Sequence, residues 1–359
     1  MIRNGGVGHR PQRLRVDPRV AVVGLGYWGP NLVRVLIERT DVEVGWICDT
    51  DLSRLERFGR RYPSVQLTQD LDEVLEDPSI DGVLLATPVF THYELTRRCL
   101  EAGKHTFVEK PLAPSTALAE ELIALSLARD LSLMCGHTFL YSPPVRAVRE
   151  LIRAGDLGEL YFVSASRVNL GLHQRDVSVI WDLGPHDFSI LLYWLGTAPN
   201  TIRATGRDSI VPGIADVAFV TMEFGSGLIA SVELSWLAPS KLRRTVIVGS
   251  QRMVVYEDGG AEAIKIFDRG VDYKDPETFG EYHLSYRSGD ILSPKLETDE
   301  PLALQVADFL RAVRGRERPE HDLSLARDVV RLAEAAHASL ATGGERVALA
   351  GETMMSQVA

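Results

Sequence analysis

Three titratable residues of this sequence have the types and spacing for acid–base chemistry on an alcohol. Lys110 follows a short apolar run in the tripeptide Glu-Lys-Pro, and Asp182 and His186 lie four residues apart in Trp-Asp-Leu-Gly-Pro-His-Asp. A spacing of four puts Asp182 and His186 on one face of a helix, where the carboxylate would raise the pKa of the imidazole. The histidine could then take a hydroxyl proton near neutral pH, and the lysine could bind the hydroxyl oxygen.

Each of these residues also has an ordinary structural interpretation. Lys110 belongs to a residue type that is mostly found at the surface. Asp182 could be the N-cap of a helix that tolerates Pro185 in its first turn, and His186 could be a hydrogen-bonded core histidine. These alternatives stay open until a second motif is considered.

The second motif is a glycine-rich turn that follows an apolar run. Gly24, Gly26 and Gly29 are spaced G-x-G-x-x-G between the run 20–23 and a helical pattern. The first glycine permits a tight turn, the second lets backbone amides approach a phosphate, and the third lets the helix pack closely on the strand. Because a helix N-terminus also attracts anions, the motif predicts a site for the pyrophosphate of a dinucleotide.

Asp49 indicates which dinucleotide binds. It ends the second apolar strand pattern, about 20 residues beyond the glycine motif, where a ribose-binding carboxylate belongs. A carboxylate there accepts hydrogen bonds from a ribose 2′-hydroxyl and repels a 2′-phosphate, which favours NAD. Arg54 could meet such a phosphate and leaves NADP open, and a plain turn aspartate is the structural alternative.

Short apolar strands alternate with helical patterns as far as residue 135, which predicts an α/β fold with a doubly wound parallel sheet. Ligands of such sheets bind at the C-terminal ends of the strands. The polar or turn residues expected at those ends are Asp49, Thr87, Pro88, Glu109, Lys110 and His137.

From about Tyr141 the pattern changes to strands joined by glycine-containing turns, typical of a largely antiparallel sheet. We therefore predict a flexible tail over 1–18, a cofactor-binding domain over 19–140 and a substrate-binding and oligomerisation domain over 141–359. The segment 264–292 is polar and poorly periodic, and its structure is not predicted.

The composition excludes several classes of function. The net charge of −10 argues against a nucleic-acid surface, and no apolar run reaches the roughly 18 residues of a membrane span. Three cysteines without paired spacing suggest neither disulfides nor a zinc site, so we expect a cytoplasmic protein without a metal. The N-terminus lacks the apolar core of a signal peptide.

Together these motifs resemble the Gfo/Idh/MocA family of sugar and cyclitol oxidoreductases. The matching stretches are Gly24 to Gly29, Ala86-Thr87-Pro88 with His92, Glu109-Lys110-Pro111, and Asp182-x-x-x-His186. The resemblance implies an N-terminal Rossmann domain and a C-terminal α+β domain whose large, open, mostly antiparallel sheet builds dimers or tetramers. It also implies Lys110 as the catalytic lysine, His186 as the base, and Asp182 as the residue that orients His186.

Four stretches resemble a subgroup associated with nucleotide sugars, related to enzymes that oxidise position 3 of a UDP-linked hexose. They are Gly26 to Leu32, Gly136 to Phe139, Arg167 to Gly171 and Trp181 to Asp187. The resemblance implies substrate contacts from Lys110, Thr138, Tyr141, Arg167, Asn169 and His186. The candidate cofactor contacts are Gly24, Gly26, Tyr27, Trp28, Gly29, Asp49, Thr87, Pro88, His92, Glu109 and Lys110. Arg167 could instead be an exposed strand charge, and Tyr141 a wall of the domain junction.

The sequence therefore predicts an NAD-dependent oxidoreductase that exchanges a hydride with a secondary hydroxyl or ketone of a sugar, in particular a nucleotide sugar. A free-sugar or cyclitol dehydrogenase and a ketosugar reductase are the alternatives. A redox-sensing regulator that binds NAD without catalysis is a different class, disfavoured because Lys110, Asp182 and His186 are all present. A third class is an enzyme of another reaction on the same fold, such as glycoside hydrolysis through transient oxidation.

Overall fold

The computed structural model describes residues 17–171, 173–174, 177–273, 284–315 and 318–349, and within them the chain forms two β-sheets. The strands of the first sheet are β1 (Arg19–Val23), β2 (Glu43–Cys48), β3 (Gln66–Thr68), β4 (Gly82–Leu85), β5 (His105–Glu109) and β6 (Leu133–Gly136). Its helices are α1 (Gly29–Ile37), α2 (Leu52–Arg61), α3 (Leu71–Glu76), α4 (Val89–Glu101) and α5 (Thr116–Ala128).

The strands of the first sheet are all parallel, in the order β3-β2-β1-β4-β5-β6. The four residues of β4 and of β6 are all buried, as are four of the five residues of β1 and of β5. Continuous apolar strands of this kind suit a sheet covered by helices on both faces. The doubly wound parallel sheet is therefore confirmed, and the order reverses between β1 and β4, where such sheets bind ligands.

The second sheet has nine strands within the described ranges, in the order β14-β13-β12-β11-β7-β10-β9-β8-β15. They are β7 (Leu160–Leu170), β8 (Thr201–Arg207), β9 (Val217–Glu223), β10 (Ile229–Ser235), β11 (Leu237–Gly249), β12 (Met253–Glu257), β13 (Ile264–Tyr273), β14 (Leu284–Leu292) and β15 (Val347–Ala348). Only the β7–β10 pair is parallel among these strands. The prediction of a large, mostly antiparallel sheet is confirmed.

Four further helices accompany this sheet in the described part of the chain: α6 (Pro143–Arg153), α7 (Val179–Leu195), α8 (Pro301–Val313) and α9 (Leu323–Ala341). Helices α8 and α9 return to the first sheet, where α8 contacts α1 and α9 contacts α5 and β6. Phe309 of α8 meets Phe107 of β5 edge to face, with ring centroids 5.9 Å apart. This packing joins the two sheets in one hydrophobic cluster, and a second cluster forms between the first sheet, its helices and α9.

The structure places the segment whose structure was not predicted, and it corrects the start of one helix. Within 264–292 the described residues form β13 and β14. Strand β14 is the edge strand of the sheet and is almost entirely exposed, so it lacks the alternation of a half-buried strand. Helix α7 begins at Val179 after the N-cap Ser178, so Asp182 lies inside the first turn and Pro185 inside the helix. The predicted domain limits stay predictions, and residues 1–16 of the predicted tail lie outside the described residues.

No helix among the described residues is long and apolar enough to cross a membrane.

Candidate active site

The glycine turn after β1 is held by close backbone contacts. Gly24 has φ of +94°, and a Cβ atom there would lie 2.5 Å from the carbonyl oxygen of Ala86. A Cβ atom on Gly29 would overlap the carbonyl oxygen of Gly24, whereas one on Gly26 would meet nothing within 4 Å. The first and third glycines are therefore required by packing, and the second leaves the turn open toward the cleft that it lines.

Asp49 is fixed beside this turn. It is 6% exposed, and its carboxylate accepts the backbone N–H of Leu25 at 2.5 Å and that of Asp51 at 2.8 Å. Arg54 lies 3.5 Å from the same carboxylate. A negative charge thus stands at the end of the glycine turn, as a site for an unphosphorylated ribose requires.

One cleft of about 1490 Å³ runs from the glycine turn to the second sheet. A drug-sized ligand fills a pocket of roughly 300–1,000 Å³, so this cleft has room for a dinucleotide together with a second molecule. Among the sequence-predicted site residues it is lined by Gly24, Gly26, Tyr27, Trp28, Asp49, Thr87, Pro88, Glu109, Lys110, Thr138, Asn169, Asp182 and His186.

Lys110 connects the first sheet to helix α7. Its ammonium group donates to the backbone carbonyl of Asp182 at 2.7 Å and lies 3.5 Å from the Asp182 carboxylate. The other carboxylate oxygen of Asp182 accepts the indole N–H of Trp236 at 3.0 Å. The strand-end lysine and the Asp/His helix, 72 residues apart in sequence, therefore meet in the cleft.

The expected contact between Asp182 and His186 is not formed. Within the described residues, the carboxylate of Asp182 is bonded to Lys110 and Trp236. The expected rise in the pKa of His186 is wrong as well: loss of hydration lowers this pKa well below 6.5, and the positive charges of Lys110 and Arg167 lower it further. His186 is consequently a neutral imidazole at pH 7, and it is a weaker base than an exposed histidine.

Phe139 contacts both the imidazole of His186 and two guanidinium groups. The rings of Phe139 and His186 meet edge to face, with centroids 5.1 Å apart. Arg167 and Arg243 lie over the same phenyl ring, at 4.8 and 5.9 Å from its centroid. One phenyl ring therefore brings the imidazole and two cations into the same part of the structure, and both cations lower the pKa of His186.

Four predicted ligand contacts, namely Gly29, His92, Tyr141 and Arg167, do not line the cleft. His92 is 1% exposed, and its ring nitrogens lie 2.7 Å from the Pro111 carbonyl oxygen and 2.8 Å from that of Thr87. It therefore joins the loops that follow β4 and β5. Tyr141 is 1% exposed and donates its hydroxyl to Asp308 at 2.6 Å, which agrees with the alternative of a buried wall.

Arg167 is another of these contacts, and it is not an exposed strand charge either. Its side chain is 4% exposed and forms a two-pronged ion pair with Asp187, at 2.5 and 3.2 Å. Removing either partner of such a buried pair would leave the other charge buried without compensation, which strongly destabilises the fold. Gly29 also lies outside the cleft lining, because it packs against Gly24.

Several residues that line the cleft were not predicted from the sequence, among them Trp236, Arg243 and Asp258. Trp236 lies between β10 and β11, Arg243 lies in β11 and Asp258 follows β12, so they come together only in the folded sheet. Alternation along β11 places Arg243 and Arg244 on opposite faces of the sheet, but it does not indicate which face lines the cleft.

Glu109 makes the stability of the apo protein depend on pH. Burial raises its pKa from 4.5 to about 8, and one carboxyl oxygen has no hydrogen-bond partner among the described residues. Between those two values the folded state binds more protons than the unfolded state, so stability falls as the pH rises from 4.5 to about 8.

We expect Glu109→Gln to remove this loss and to stabilise the apo protein at pH 9 by roughly 2–4 kcal/mol relative to wild type. Urea unfolding at pH 5 and at pH 9 measures the effect. The exposed Glu56→Gln variant is the matched control and should behave like wild type at both values. Equal pH dependence in Glu109→Gln and wild type would contradict the buried, protonated carboxyl.

Comparison with known proteins agrees with this architecture. Residues 18–137 match the Gfo/Idh/MocA oxidoreductase family with an NAD-binding Rossmann fold, and residues 145–255 match the Gfo/Idh/MocA C-terminal domain. The chain is 31% identical over 237 residues to scyllo-inositol 2-dehydrogenase (NAD⁺) of Bacillus subtilis (strain 168), which covers 62% of this chain and 68% of that protein.

Two solved structures extend the likeness over almost the whole chain. GenD2 from gentamicin A biosynthesis, in complex with NAD, superposes with a TM-score of 0.80 at 26% identity, covering 96% of this chain and 100% of that one. UDP-N-acetylglucosamine 3-dehydrogenase GnnA from Acidithiobacillus ferrooxidans has the same fold, with a TM-score of 0.75 at 24% identity over 91% and 99% of the two chains. The chain therefore belongs to the Gfo/Idh/MocA family of oxidoreductases and uses NAD as its cofactor.

Proposed function

We propose that this protein oxidises a secondary hydroxyl of a sugar to a ketone, or reduces the ketone, and that the sugar is part of a nucleotide sugar of the UDP-hexose type. The observation that carries the proposal is the meeting of Lys110, Asp182 and His186 in the cleft that begins at the glycine turn. Residues 19–140 would hold the cofactor, and 141–359 most of the substrate.

The residues of the cleft fit NAD. Gly26 leaves space at the turn, Asp49 offers a carboxylate to the ribose, and Glu109 has a buried oxygen with no partner among the described residues. When bound, NAD supplies the acceptor for the hydride that leaves the carbinol carbon.

The chain's own residues would handle the proton and the oxygen. A ring nitrogen of the neutral His186 takes the hydroxyl proton, and the Lys110 ammonium donates a hydrogen bond to the oxygen as it becomes a carbonyl. The backbone carbonyl and carboxylate of Asp182 hold the lysine in place. Because Asp182 contacts Lys110, we assign Asp182 the role of positioning this lysine. The sequence had suggested that Asp182 orients His186.

The names of two similar proteins point to two different substrates, a nucleotide sugar and a cyclitol. The fold of GnnA, named as a UDP-N-acetylglucosamine 3-dehydrogenase, extends over 91% of this chain. The relative with 31% identity is named as a scyllo-inositol 2-dehydrogenase, which makes a cyclitol the second candidate. The large volume of the cleft favours the nucleotide sugar, because an inositol ring needs far less space beyond the cofactor.

A thermal-shift screen with saturating NAD tests this choice. A ligand that binds only the native state raises the melting temperature by mass action. We expect UDP-N-acetylglucosamine to raise it and free N-acetylglucosamine and scyllo-inositol to do so only at much higher concentration. If only scyllo-inositol raises the melting temperature, the substrate is a cyclitol and not a nucleotide sugar. If NAD raises it and no sugar or cyclitol raises it further, the result favours a regulator that binds NAD without catalysis.

We also propose that the second sheet forms a homodimer or homotetramer. Large apolar side chains are exposed along its strands, among them Tyr161, Phe162, Phe219, Ile229 and Tyr286. Clusters of exposed apolar side chains are typical of contact surfaces. Light scattering of the purified protein should give a mass of two or four chains, and a monomer would contradict the assignment.

A further inference from the structure

An ion pair from the second sheet forms part of the cleft wall near His186. Arg243 of β11 donates to the carboxylate of Asp258, just after β12, at 2.8 Å, and the backbone N–H of Asp258 donates to the carbonyl of Arg243 at 3.0 Å. Both side chains line the cleft. The positive charge of Arg243 also lowers the pKa of His186, so the pair lies within electrostatic reach of the imidazole.

This pair differs from its neighbour in being accessible. The side chains of Arg243 and Asp258 are 32% and 25% exposed, whereas those of Arg167 and Asp187 are 4% and 6% exposed. Arg243 lies opposite Arg167 in the β7–β11 register, so both guanidinium groups are on the same face of the sheet. The buried pair supports the wall, and the accessible pair can meet a ligand.

The pair also fixes the net charge at the reacting end of the cleft. The cations there are Lys110 and Arg243, and the carboxylates are Asp182 and Asp258. Glu109 also lines this end, but burial raises its pKa to about 8, so its carboxyl is mostly protonated at pH 7. The pKa of His186 lies well below 6.5, so its ring is neutral at pH 7. Two positive and two negative charges cancel, so this region attracts no anion by net charge.

We propose that Arg243 and Asp258 bind hydroxyl groups on an uncharged sugar ring and discriminate against a ring that carries a carboxylate. This inference rests on the proposed function and specifies which sugar unit the site takes. A hydroxyl both donates and accepts, so it suits a guanidinium N–H placed beside a carboxylate oxygen. A substrate carboxylate could pair with Arg243 but would face the charge of Asp258, which repels it.

The test compares UDP-N-acetylglucosamine with UDP-N-acetylglucosaminuronate, its counterpart with a carboxylate at C6, by NAD-dependent turnover. We expect wild type to favour the uncharged sugar by at least roughly tenfold in kcat/KM. Asp258→Asn removes the repelling charge and should lower that preference at least about tenfold, mainly through KM for the uronate. Arg243→Gln should raise KM for the uncharged sugar with little change in KM for NAD.

The neighbouring pair on the other face of the sheet is the matched control. Arg244 and Glu257 are paired in the same β11–β12 register, at 3.3 Å, and do not line the cleft. Arg244→Gln and Glu257→Gln should leave kcat/KM for both sugars within about twofold of wild type. They remove the same kinds of charge, but at positions that do not line the cleft.

The outcomes separate this inference from the function on which it rests. Oxidation of the uncharged sugar with an unchanged preference in Asp258→Asn would overturn the role of the pair and leave the dehydrogenase intact. A wild-type preference for the uronate would also overturn it. If wild type binds NAD but oxidises neither sugar, the proposed nucleotide-sugar function itself fails, and the inference fails with it.

Discussion

His186→Asn will lower kcat by about 10²- to 10⁴-fold, because the variant retains a polar side chain of similar reach but has no proton acceptor of comparable basicity. Lys110→Met should cause a loss of similar size by removing the hydrogen bond to the developing carbonyl oxygen. Neither change touches the glycine turn, so the Kd for NAD should stay within a few-fold of wild type. Steady-state kinetics and NAD titration measure the two effects separately.

The pH profile adds a second check on His186. Since its pKa lies well below 6.5, the base is still neutral at mildly acid pH, and the acid limb of kcat/KM should fall well below 6.5. His337→Asn and Lys241→Met change exposed residues of the same types and should have wild-type kinetics. Turnover within a few-fold of wild type in His186→Asn would show that another group takes the proton.

Gly29→Ala will prevent or strongly destabilise folding, whereas Gly26→Ala will leave the apo protein stable and weaken NAD binding. The methyl group at Gly29 would overlap the carbonyl of Gly24, and the backbone of that turn has no flexible side chain that could move aside. We expect a loss above roughly 3 kcal/mol in the free energy of unfolding. At Gly26 the methyl group meets no protein atom within 4 Å and projects into the space for the cofactor.

Urea unfolding of the apo variants and NAD titration of Gly26→Ala measure this contrast. We expect the apo stability of Gly26→Ala to stay within about 0.5 kcal/mol of wild type, as for other substitutions that touch nothing. Its affinity for NAD should fall at least tenfold, because the turn can no longer approach the pyrophosphate. Equal NAD affinity in Gly26→Ala and wild type would place the cofactor elsewhere.

The parts of this protein that follow local rules could be predicted from the sequence. Gly24 and Gly29 make backbone contacts that leave no room for a Cβ atom, and the apolar strands of the first sheet are short, buried runs with clear boundaries. Cleft-lining positions such as Glu109 and Lys110 follow because parallel strands end at one edge. Here local chemistry and the global fold agree.

The partner of each polar group could not be predicted in the same way. The spacing of Asp182 and His186 is helical, but the carboxylate of Asp182 is taken by Lys110 and by Trp236, which is 54 residues away. His92 has the spacing of a ligand contact and is instead enclosed between two loops. The hydrogen-bond partner of a polar side chain depends on the direction of that side chain and on residues from distant strands. The local spacing of residues in the sequence specifies neither.

The most direct test of the whole account is the yield of NADH per molecule of sugar oxidised. Purified protein, NAD and UDP-N-acetylglucosamine should give one NADH for each ketone formed, and a double variant with His186→Asn and Lys110→Met should give almost none while still binding NAD. A ketone that forms without equivalent NADH, or NADH that forms at the wild-type rate in the double variant, would contradict hydride transfer at this site.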